Sequence, residues 1–104
     1  MDFIQRADEI EHELARYCVA LNIDISDTAR LHQLARQSID KEYVSQVSSR
    51  AGHGDREAMS EMNLYGLIDM MFKTMTVSAE HGFETHGGPY WKAIAREVYK
   101  VIKN

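Results

Sequence analysis

Apolar residues at the start of the chain recur at alternating steps of four and three: Phe3, Ala7, Ile10, Leu14, Tyr17 and Leu21. At 3.6 residues per turn, that spacing lines them up along one side of a helix. Asp8, Glu9, Glu11, Glu13 and Arg16 fall on the other side, which reads as solvated. The pattern predicts an amphipathic helix over about 3–21. It repeats downstream with different punctuation, so the whole chain reads as helical.

Asn22 to Ile25 breaks the periodicity, and Ser26, Asp27 and Thr28 supply side-chain oxygens that cap a new helix. Leu31, Leu34, Ala35, Ile39, Tyr43 and Val47 then predict one continuous helix over about 27–49, with its serine-rich end, Ser45 to Ser49, expected to fray. Ala51-Gly52-His53-Gly54 is the clearest break, and Asp55 is a natural N-cap after it.

A third helix is predicted over about 56–81. Met59, Met62, Leu64, Tyr65, Leu67, Ile68, Met70, Met71, Phe72, Met75 and Val77 make it apolar on several sides. Such a helix lies at the centre of a bundle or in an interface. Gly82 ends it. Pro89, well suited to a first helical turn, opens a fourth helix running to about 102, with Trp91, Ile94, Ala95, Val98 and Ile102 inward. The expected fold is all-α: a compact bundle of about four helices forming a single domain over residues 1–104, with the apolar third helix central.

Composition bounds function loosely. Twelve Lys and Arg stand against sixteen Asp and Glu, giving a formal charge of −4. This balance argues against non-specific nucleic-acid binding, which relies on a basic surface. Locally the balance shifts: residues 89–104 hold Lys92, Arg96, Lys100 and Lys103 against Glu97, whereas the first helix is acidic. The first and last helices are thus charge-complementary. They suit neighbouring positions in one bundle or in neighbouring subunits. No basic segment leads into an apolar run at the N-terminus, and no stretch approaches the ~18 apolar residues of a membrane span. A cytoplasmic protein without membrane contact is expected.

Candidate chemistry is sparse. The single cysteine, Cys18, falls on the apolar side of the first helix and reads as a buried thiol. Glu9 and His12 share the Glu-x-x-His spacing of di-iron bundles, but no second copy occurs and both lie off the apolar stripe. His81, Glu84 and His86 share one loop without the paired Cys and His ligands of structural zinc. Gly87-Gly88-Pro89 precedes a helix start whose N–H groups, with Lys92 one turn in, could hold an anion; a plain helix start is the leading reading. No cofactor and no metal is expected.

The stretch Leu67-Ile68-Asp69-Met70-Met71-Phe72, continuing to Glu80-His81-Gly82-Phe83, resembles the third-helix region of MazG-type nucleotide pyrophosphohydrolases. The resemblance implies an all-helical fold and hydrolysis of nucleoside triphosphates, with magnesium held by clustered carboxylates. Asp69 matches the last motif aspartate, Gly66 stands where the preceding motif glutamate belongs, and the pair Asp40 and Glu42 does not reproduce the other motif.

The leading expectation is a non-enzymatic interaction protein, a regulator, inhibitor or immunity-type factor whose partner is another protein or a second copy of itself. The candidate contact residues are Met70, Met71 and Met75 on the third helix with Phe83, His86, Tyr90, Trp91 and Lys92 beyond it. Methionine adapts to irregular surfaces and aromatic residues anchor interfaces; Trp91 is read as a core residue first and an anchor second. The alternatives are the MazG-like hydrolase and a helical nucleic-acid binder using Lys92, Arg96, Lys100 and Lys103.

Overall fold

The computed structural model describes residues 3–82 and 87–103. Five helices account for nearly all of them: α1 (Phe3–Ala20), α2 (Thr28–Ile39), α3 (Lys41–Gly52), α4 (Arg56–Glu80) and α5 (Pro89–Lys103). No strand occurs among the described residues.

The extra helix comes from a break in the predicted 27–49 segment. Asp40 adopts an extended conformation (φ −84°, ψ 103°) and ends α2. Its carboxylate accepts hydrogen bonds from the Glu42 and Tyr43 N–H groups at 3.1 and 3.2 Å and so caps α3. A cap of this kind contributes about 1 kcal/mol. The break turns Ile39, expected inward, out to 48% exposure. The serine-rich end expected to fray stays helical through to Gly52.

Other boundaries follow the sequence signals. Asp27 and Asp55 cap α2 and α4 by accepting from the N–H groups of Arg30 and Ala58, each at 3.1 Å. Asn22 (φ 56°) just after α1 and Gly82 (φ 81°) just after α4 adopt the left-handed conformation; Gly82 can hold it because it has no Cβ.

The helices close into a ring in the order α1, α4, α3, α2, α5 and back to α1, with α4 also touching α5 across it. Leu14, Cys18, Leu34, Val47, Leu64, Met71, Trp91, Ile94 and Val98 fill the interior at 2% exposure or less. A half-buried polar contact joins α3 to α4. The Tyr65 hydroxyl donates to Glu61 Oε2 at 3.1 Å and the Tyr43 hydroxyl to the same oxygen at 3.5 Å. Burial, then the Glu61 carboxylate, raises Tyr65 above the ordinary tyrosine range.

The apolar excess of α4 is covered within the chain, by α1 and α3 on either side and α5 across the ring, except at Met59 and Met70, 43% and 45% exposed. On that outer side lies Gly66, where an added Cβ meets nothing within 4 Å. Because glycine inside a helix costs about 0.5–1 kcal/mol relative to alanine, Gly66→Ala is expected to stabilise the chain by that amount. A thermal melt showing no rise in the midpoint would contradict a free outer face at this position.

Candidate docking surface

The sequence-predicted contact residues differ in burial. Met71 and Trp91 are core residues, at 0% and 2% exposure, and in this fold neither offers surface to a partner. Met75 and Tyr90 are half-buried, Met70 and Lys92 are exposed, and Phe83 and His86 lie outside the described residues. Met70 lines a small groove with Phe3, Arg6, Lys73, Thr74 and Val77.

At the start of α5, where the sequence offers a weak anion site or a plain helix start, the first N–H groups are already engaged. Glu11, read from the sequence as solvated, is half-buried, and its Oε2 and Oε1 accept the N–H groups of Tyr90 at 3.0 Å and Trp91 at 2.8 Å. A Cβ on Gly88 would come within 2.8 Å of the Glu11 carboxyl carbon, and one on Gly87 within 2.5 Å of Trp91 Cβ. The Gly-Gly-Pro sequence therefore serves close packing of the loop against α1 and the indole.

Among the described residues, those weighed for catalysis do not converge. Asp69, the position matched to the MazG motif, is exposed and pairs with Lys73 at 2.8 Å. Among the described residues, no group of three or more His, Cys, Asp or Glu side chains is placed to hold a metal ion. His12 is exposed, with Nδ1 2.9 Å from the Asp8 carbonyl oxygen. Cys18 is sealed in the core. Burial pushes its thiol from 9.0 up to about 11, a rise that Arg30 opposes and Glu11 reinforces. A thiol so raised is a poor nucleophile at neutral pH.

What the structure does bring together is charge. Helices α2 and α5 pack side by side and hold six of the twelve cationic residues: Arg30, Arg36, Lys92, Arg96, Lys100 and Lys103. They hold one of the sixteen acids, Glu97, so this layer carries a formal +5 and the rest of the chain −9. Glu97 is itself withdrawn from the surface, at 3% exposure. It receives Lys100 Nζ at 3.0 Å and lies 3.8 Å from His32 Nδ1 on α2. Apart from the half-buried Arg30, these cations are exposed.

Neither a family model, nor a curated protein, nor a solved structure matches this chain. The surface must therefore be read from its own chemistry.

Beside the exposed side of α2 runs a groove of about 830 Å³. Ile39, Tyr43 and Val101 form its apolar part, and His32, Gln33 and Arg36 supply polar groups. It spans α2, the start of α3 and the last turns of α5. Sequence reasoning missed this groove because it drew one helix straight through Asp40, which keeps Ile39 inside. The available signal was Asp40 itself, an N-cap residue type with Glu42 following in the first turn of a new helix.

No helix among the described residues is long and apolar enough to cross a membrane.

Proposed function

We propose that the protein is a non-enzymatic interaction protein, a small regulator or inhibitor that docks on another protein through its α2–α5 face. The segregation of charge carries the reading: a +5 layer on a chain of net −4. Gathering like charges on two adjacent helices works against folding through self-repulsion and favours encounter with an acidic partner. Among the described residues, Arg36, Lys92 and Arg96 make no ion pair within the chain, so their charge faces outward.

The combined variant Arg36→Glu/Lys92→Glu/Arg96→Glu/Lys103→Glu tests this face. Exposed substitutions change stability by about 0.5 kcal/mol or less each, so its circular dichroism spectrum and melting curve should stay close to those of the parent. The tagged parent is expected to retain a specific protein from an extract of its native host, and the variant to lose it. Retention of the same protein by the variant at parental yield would refute the reading.

A further inference from the structure

We infer that the outer side of α4 pairs with the same side of a second copy of the chain, antiparallel and centred on Ile68, to form a twofold dimer. The surface is separate from the α2–α5 face, so the inference does not rest on the docking reading above.

From Arg56 to Glu80, outward positions of α4 recur at alternating steps of three and four, away from the buried Leu64, Ile68 and Met71. Such a 3.5-residue repeat is the seam of a two-stranded helix pair. Its first half is Arg56, Met59, Asn63 and Gly66, all exposed. Its second half is Met70, Lys73, Val77 and Glu80, exposed except for the half-buried Val77. Counted outward from Ile68, the two halves complement each other, as a twofold contact requires. Gly66 faces Met70 of the second copy, small against large. Asn63 faces Lys73, an amide oxygen against an ammonium. Met59 faces Val77, and Arg56 faces Glu80.

The single chain leaves each of these features without a use. Gly66 weakens the helix, and nothing in its own chain approaches the place of its Cβ. That space suits Met70 of the second copy. Arg56 and Glu80 stand at the two ends of α4 where the helix dipole opposes their charge, and neither has an ion pair among the described residues. An antiparallel neighbour sets each beside the opposite charge and the opposite end of a dipole. Lys73 enters the seam already balanced by Asp69 at 2.8 Å. Met70 and Val77 line a groove of about 130 Å³ with Phe3, Arg6, Lys73 and Thr74. Met59 of the second copy, opposite Val77, is placed to enter it. A foreign helix would match this seam only by repeating the order that α4 itself already carries.

The test follows the full chain by sedimentation velocity from micromolar to submillimolar concentration. The parent is expected to pass reversibly from monomer to dimer in the micromolar range, as suits a seam one helix wide. Met70→Glu should stay monomeric throughout, with an unchanged circular dichroism spectrum. Gly66→Leu introduces a better helix former but fills the space that Met70 of the second copy needs. Its melting midpoint should therefore rise while the dimer is lost. Arg56→Glu and Glu80→Arg should each weaken the dimer by about tenfold, because each sets like charges together at two symmetric places. Mixed in equal amounts, these two variants should regain parental association, since each supplies the charge that the other lacks.

A parent that sediments as a monomer at every concentration would overturn the inference. So would a dimer that survives Met70→Glu, or one that neither charge reversal weakens, the behaviour of a parallel pair. A mixture that associates no better than either variant alone would rule out the antiparallel register.

Discussion

Replacing Glu11 by alanine is expected to destabilise the chain by about 2–3 kcal/mol, although the sequence places this residue on a solvated helix face. Its two carboxylate oxygens accept consecutive N–H groups at the start of α5, from Tyr90 and Trp91. Both bonds are charge-assisted, and the carboxylate lies at the positive end of the α5 dipole. Removing it leaves two donors of the first turn without an acceptor, in a site where Glu11 is half-buried and water only partly replaces it. For a chain of this size the loss corresponds to a fall of roughly 10–15 °C in the melting midpoint.

Glu11→Gln keeps one acceptor oxygen and turns an NH2 toward the second donor, so its loss falls between parent and alanine. Glu11→Asp is one methylene too short to span both N–H groups and should behave close to alanine. Thermal and urea melts of the three variants check the order. Hydrogen exchange at the Tyr90 and Trp91 amides should speed up in step with the loss. An alanine variant melting within about 2 °C of the parent, a change well below 1 kcal/mol on this scale, would show that the bridge from α1 to α5 contributes nothing.

Why these features escaped the sequence differs from case to case. The four-three periodicity gave α1 and α5 and the two ends of α4 because those signals are local: a stripe, a cap, a glycine. The joint at Asp40 is local too, but it is silent to periodicity. Leu31, Leu34, Ala35, Tyr43 and Val47 keep apolar spacing across it, no glycine or proline marks it, and aspartate inside a helix reads as surface charge. Glu11 and Glu97 escaped for another reason. Carboxylates on amphipathic helices look solvated unless the partner is known, and the Glu11 partner Tyr90 lies 79 positions away.

The candidate surface was half legible for the same reason. The cations of α5 were plain in the sequence, whereas their union with Arg36 depends on α2 lying beside α5, a matter of helix order around the ring. In the opposite direction, the breadth of the apolar pattern on α4 suggested a missing partner. A ring of five helices supplies the cover that a four-helix bundle lacked, leaving Met59 and Met70 outside. The exposed apolar residues are spread over α1 (Ile4, Val19), α2 (Ile39), α4 (Met59, Met70) and α5 (Tyr99, Ile102) rather than gathered on α4.

Trp91 is where the two roles assigned from sequence, core residue and interface anchor, make different predictions. As a core residue at 2% exposure, its truncation to alanine is expected to cost about 3–5 kcal/mol, the usual range for a buried aromatic. Against a typical total of about 5–15 kcal/mol, that places the variant near unfolding, so Trp91→Phe gives the graded, measurable loss. Gly87→Ala approaches the same contact from the other side. The new Cβ would stand 2.5 Å from Trp91 Cβ and 2.6 Å from the indole ring. The Trp91 Cβ is fixed to the first turn of α5 and cannot swing away as the end of a flexible side chain would. Relief therefore requires the loop or the helix start to shift, at about 1–3 kcal/mol. Trp91 is the only tryptophan, so its fluorescence reports both experiments. Emission should be blue-shifted in the folded parent and move to longer wavelength on unfolding, with Gly87→Ala unfolding at lower urea. An interface anchor would show the reverse: parental stability in Trp91→Phe, an emission maximum already typical of exposed indole, and loss confined to partner binding.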